Sequence, residues 1–118
     1  MAKLRDLKKE VRYVCGDLAA ECMIADTFIK DVDRKKMKEL VVKIADLQSN
    51  ALAGIDFSFD KTPADFETSR AYSAARAAYY RKAFKSFRDK FYARVNEIVH
   101  EMNGALPVSA SEAKKNLV

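Results

Sequence analysis

Between Pro63 and Gly104 the chain runs for about 40 residues without a glycine or proline, a length no β-strand approaches and one α-helix covers in about 60 Å. Within it Ala77, Tyr80, Phe84, Phe87, Phe91, Val95, Ile98 and Met102 fall in one narrow arc at 100° per residue. A helix this long with one apolar stripe needs other helices to cover it. The rest of the chain supplies two. Residues 3 to about 29 place Leu4, Leu7, Val11, Val14, Leu18, Cys22, Ala25 and Ile29 on one stripe. After "KDVDRK", with Asp33 as the expected N-cap, a second helix runs to about Ala53 on Met37, Leu40, Val41, Ile44, Leu47 and Ala51. Gly54 is expected to stop it in the left-handed conformation.

The segment "GIDFSFDK" breaks this period, since Ile55, Phe57 and Phe59 alternate with Asp56, Ser58 and Asp60. No other segment offers a partner strand. It therefore reads as an extended connector that pins three apolar side chains onto the helices. In "TPADFE", Thr62 is the expected cap of the third helix, Pro63 its first residue, and Asp65 and Glu67 complements to its positive end. Gly104 and Pro107 end it.

The fold class that follows is all-α: a three-helix up-down-up bundle with a long third helix and an extended connector between helices 2 and 3. With 118 residues, 3 Gly and 2 Pro, the chain has too few turn formers for a sandwich or barrel, yet enough length for a core without disulfides. Residues 1–104 form one domain and 105–118 a tail, in which Ser109 and Glu112 have capping-box spacing for a marginal turn. No stretch has the roughly 18 apolar residues needed to span a bilayer, and "MAKLRDLKKEVR" carries charge where a signal peptide would be apolar, so a cytoplasmic protein is expected.

Cys15 and Cys22 stand seven residues apart on the apolar face of the first helix. That places them about 10 Å apart along its axis, beyond the reach of a disulfide, and makes them small buried hydrophobes. The opening "MAKLRDLKKEVRYVCGDLAAEC" resembles the start of a family of small, uncharacterised, all-helical bacterial proteins over about the first thirty residues. The resemblance implies no functional residue.

The charge of +5 is unevenly spread. From Arg70 to Arg94 eight Arg and Lys face Asp89 alone, which is +7 and leaves −2 for the rest of the chain. Arg70, Arg81, Lys85 and Arg88 follow one flank of the stripe with Tyr92, while Arg76, Lys90 and Arg94 lie toward the other flank and the outside. Glu10, Asp17 and Glu21 occupy one flank of the first helix and offer a counterweight. If the two flanks meet, they form a seam of ion pairs, each contributing less than about 1 kcal/mol when exposed. If they do not, Arg70, Arg81, Lys85 and Arg88 are candidate phosphate contacts of a nucleic-acid-binding face, with Tyr72, Tyr79 and Tyr92 able to stack on bases.

Chemistry-bearing motifs are sparse. Glu97 and His100 have the Glu-x-x-His spacing of di-metal bundles, but such a site needs a second pair that the chain lacks. Asp17 and Glu21, one turn apart, could share a proton but read more simply as a charged seam, and Gly16, Gly54 and Gly104 are too far apart for a phosphate loop. The expected function is a non-enzymatic helical interaction module without cofactor or metal. At about 40 Å the first helix falls short of the third, and the uncovered stripe favours a homo-oligomer, a dimer first, or a docked protein partner. The Ala-rich "AYSAARAAYY" offers the connector or another subunit a thin surface. Nucleic acid is the alternative partner; a membrane is not expected.

Overall fold

The computed structural model describes residues 3–107 and contains three α-helices: α1 (Leu4–Phe28), α2 (Arg34–Ala53) and α3 (Ser69–Ala105). Glu10 meets Arg88 and Cys22 meets Met102, so α1 and α3 run side by side in the same direction. Lys43 meets Glu101 and the Asp33 N–H donates to the Ala105 carbonyl, so α2 runs against both. This is the up-down-up order the periodicity predicts.

The stripes meet as read. Leu7, Val11, Cys15, Leu18, Cys22 and Ala25 of α1, Met37, Leu40 and Ile44 of α2, and Phe84, Phe91, Val95, Ile98 and Met102 of α3 form one buried core. Each fully buried aliphatic among them contributes about 1.5–3 kcal/mol relative to exposure. Both cysteines are buried thiols, and that of Cys22 donates to the Met102 sulfur at 3.4 Å.

The α1–α2 turn owes its reversal to Asp31, held at φ 65°, a left-handed conformation that Asp tolerates better than most residues. Two residues later Asp33 caps α2, its Oδ1 accepting from the Lys36 N–H at 3.0 Å. The other end of α2 departs from expectation. Gly54 sits at φ −82°, and its N–H donates to the Asn50 and Ala51 carbonyls, so the left-handed freedom of glycine is not used there.

The start of α3 also differs from the reading of the sequence. The Asp65 carboxylate turns back to accept from the N–H and hydroxyl of Thr62, closing a single 3₁₀ turn at Pro63–Asp65, and the chain leaves it extended at Phe66. The cap of α3 is Thr68, whose Oγ1 accepts from the Ala71 N–H at 3.0 Å. Two Thr sites compete for one start, and the first fails because its own acid closes the turn locally. The helix has 37 residues, about 55 Å, and runs through Gly104 to Ala105 before Pro107. The Ser109–Glu112 turn lies outside the described residues.

The residue 55–68 connector carries no strand. Ile55 is buried, Phe57 packs against Phe84 and Phe87, and Phe59 lies among Phe66, Tyr72 and Tyr79. The first two pin it to the bundle, and the third pins it to the part of α3 that outruns α1. That overhang stretches the molecule to 65 × 27 × 17 Å.

Candidate functional site

Where α1 and α3 lie together, their contact has an apolar centre and a polar edge. Arg88 donates to Glu10 twice, from Nε to Oε2 at 3.1 Å and from a terminal nitrogen to Oε1 at 3.2 Å, and the Tyr92 hydroxyl donates to Oε2 at 3.0 Å. The Arg88 hydrogen bonds hold the Glu10 carboxyl below its ordinary range; partial burial opposes this, and Tyr92 adds to the lowering. Burial, then the neighbouring Glu10, pushes the Tyr92 phenol up. The seam is thus built at one point. Asp17 and Glu21 are exposed and, among the described residues, form no ion pair with α3.

One heptad nearer the start of α3 the contact pattern continues but its partner does not. Leu4 begins α1 roughly level with Phe84, judging from Glu10 at Arg88 and Tyr92 and from Cys22 at Met102. Beyond that level the connector takes over the side of α3 that α2 covers below, through Phe59 on Tyr72 and Tyr79. On the side facing α1, no described residue takes over. A groove of about 490 Å³ is left there, with Ala77, Tyr80 and Phe84 as its floor and Arg81, Lys85, Arg88 and Asp89 around it.

The four basic residues singled out in the sequence meet different fates. Arg88 is held by Glu10, and Lys85 is paired with Asp89 at 2.9 Å, which pushes its ammonium pKa up. Arg70 and Arg81 are exposed and form no ion pair among the described residues. Arg81 and Arg88 therefore share the groove while Arg70 stands apart from it, eleven residues and about 16 Å up the helix. Of the proposed stacking tyrosines, Tyr72 and Tyr79 pack against Phe59 and Tyr92 against Phe91.

A second groove, of about 480 Å³, lies between α2 and α3, where Leu47 and Ile98 are flanked by Lys43, Asp46, His100 and Glu101. Glu101 accepts from Lys43 at 2.9 Å and from Lys36 at 3.5 Å, and the Lys43 hydrogen bond keeps its carboxyl below the usual range. The sequence reading overlooked this link. Its only signal was that Lys36 and Lys43 are seven residues apart on one side of α2. Glu97 pairs instead with Arg94 at 3.7 Å, and among the described residues no three His, Cys, Asp or Glu side chains converge as a metal site.

No protein-family model, no characterised protein and no solved structure matches the chain. The resemblance of its opening helix therefore gains no residue role. Among the described residues no helix is long and apolar enough to cross a membrane.

Proposed function

We propose that the protein is a non-enzymatic helical interaction module that docks a partner on the overhanging half of α3. One observation carries this reading: the stripe of α3 continues past the start of α1, the connector covers one side of it, and the side facing α1 is a groove with an apolar floor. Half-buried Tyr80 and buried Phe84 line the groove beside Ala77, whose short side chain leaves room for an incoming ridge. The test is an NMR titration of the isotope-labelled chain with amphipathic helical peptides of acidic, neutral and basic flanks. Shifts concentrated at Ala77, Arg81 and Phe84 with any of them support docking; no binding, or shifts confined to other faces, refutes it.

Self-association is a second reading, supported by a different face from the one expected. Tyr13, Ile24 and Phe28 are 76%, 57% and 79% exposed on the side of α1 away from the core, with Met23 nearby, whereas the overhang of α3 is partly occupied by the chain's own connector. Nucleic-acid binding draws less support. Two of its four candidate phosphate contacts, Lys85 and Arg88, already hold carboxylates, and Tyr72 and Tyr79 have their rings against Phe59.

A further inference from the structure

The third helix is read twice by a seven-residue repeat: one reading is filled by α1, and the other is covered only on the Phe57 side of Phe84. Seven residues are two turns, about 10.5 Å along the axis, and return nearly to the same face. Against α1 the repeat presents Phe91 in the apolar centre, Arg88 on the carboxylate of Glu10, and Tyr92 beside it. One heptad earlier the same three places are taken by Phe84, Arg81 and Lys85, and one heptad before Phe84 stands Ala77. The open groove consists of these residues and their neighbours.

Arg81 thus stands to the open groove as Arg88 stands to α1. Arg88 answers its carboxylate with two donors; Arg81 is exposed and among the described residues has no ion pair. The charge nearby has one sign to spare. Lys85 and Asp89 neutralise one another, Arg88 is matched by Glu10, and the exposed Lys3 and Asp6 at the start of α1 offset each other, which leaves Arg81 as the cation left over. A basic or neutral helix would leave Arg81 unanswered, whereas a carboxylate one turn off an apolar stripe repeats the arrangement by which the chain holds its own α1.

We infer that the groove receives an acidic amphipathic α-helix of a partner protein, laid along the track of α1 with its apolar residues over Ala77, Tyr80 and Phe84 and a carboxylate on Arg81. This rests on the reading of the overhang as a docking surface and names the chemistry of its occupant. A protein helix fits the groove better than a polyphosphate does, because the floor is apolar and the unmatched cation stands at its edge rather than in a row.

The probes are three synthetic helical peptides of about three heptads with the same apolar stripe and either Glu, Gln or Lys at the flanking position, titrated by fluorescence anisotropy against the full chain. The Glu peptide is expected to bind at least about ten times more tightly than the Gln peptide, and the Lys peptide most weakly. In Arg81→Glu, an exposed substitution checked by an unchanged helical circular dichroism signal, the order should reverse. If Glu and Gln peptides bind equally, or Arg81→Glu changes nothing while shifts still map to Ala77 and Phe84, the carboxylate assignment is overturned and docking survives. If no peptide shifts those residues, both readings fall together. Arg81-dependent binding of an oligonucleotide at about 0.15 M salt, with none of the Glu peptide, also overturns the inference in favour of phosphates.

Discussion

Arg88 reaches from α3 to Glu10 on α1 with both Nε and a terminal nitrogen, 78 residues away in sequence, and Tyr92 donates to the same carboxylate. Two parallel N–H···O bonds fix angle as well as distance, so this contact marks the height at which core packing holds α1 against α3. The height of α1 in turn decides where the groove begins.

The first prediction concerns that carboxylate. Glu10 and Arg88 are 30% and 40% exposed, so solvent weakens the pair and Glu10→Gln should cost about 1 kcal/mol or less, a fall in Tm of a few degrees. Because Arg88 lowers the pKa of Glu10 in the folded chain, the contribution is complete above the ordinary glutamate range and disappears as the pH falls through the depressed value. Thermal melts of both proteins across pH 3 to 7 should therefore converge at the acid end. A gap that stays constant with pH would show that Glu10 contributes packing rather than charge.

A second prediction separates the two jobs of the connector. Phe57 touches Phe84 and Phe87 next to the core, whereas Phe59 packs on Phe66, Tyr72 and Tyr79 around the overhang. Phe57→Ala should destabilise the whole bundle by about 2–4 kcal/mol. Phe59→Ala should leave α1 and α2 protected but speed amide hydrogen exchange in the first half of α3, since that half has few other contacts to hold it. Equal acceleration over all three helices in Phe59→Ala would mean that the overhang and the bundle unfold as one unit.

Most of the fold was legible because helix period and burial obey the same rule: of the eight stripe residues read on α3, Phe84, Phe91, Val95, Ile98 and Met102 are buried, while Ala77, Tyr80 and Phe87 are half-buried at and beside the overhang. What escaped was decided by competition between equivalent local signals. Thr62 and Thr68 are both good caps, and only the hydrogen bonds from Thr62 to Asp65 decide against the first. The candidate site was legible as a row of charges but not in its partition. That Arg88 meets Glu10 while Arg81 has no ion pair among the described residues depends on where α1 starts in space, and helical period carries no information about height.

A third prediction addresses the basic row as a nucleic-acid surface. If Arg70 and Arg81 contact phosphates, affinity for unrelated oligonucleotides should fall by roughly 0.7 to 0.9 of a log unit per tenfold salt for each contact. Two available cations then give a slope no steeper than about −2, and Arg70→Gln with Arg81→Gln should abolish it. The groove reading expects no measurable binding at about 0.15 M salt, where the Debye length is about 8 Å. A slope of about −3 to −3.6, the value for four contacts, would require Lys85 and Arg88 to leave Asp89 and Glu10 or the exposed Lys82 and Lys90 to join.

The last prediction concerns the outer face of α1. Tyr13, Ile24 and Phe28 lie within an arc of about 60° when each residue turns 100°, and Ala20 and Gly16 follow about 20° and about 60° beyond its Tyr13 edge. A Cβ added at Gly16 would meet nothing within 4 Å, so the chain's own packing gives no reason for a glycine in the middle of this helix, where it costs about 0.8–1 kcal/mol relative to alanine. If a second copy covers this face, light scattering at high micromolar concentration should give a mass above the single-chain 13.3 kDa, and dilution should return it to that value. Ile24→Glu should hold the protein at one chain throughout, because the partner would then have to bury a charge. Gly16→Ala separates the remaining explanations: it should raise the melting temperature of the monomer in either case, through helix propensity, but weaken association only if the opposing helix comes close at Gly16. A single-chain mass at every concentration would leave the glycine unexplained and remove the homo-oligomer.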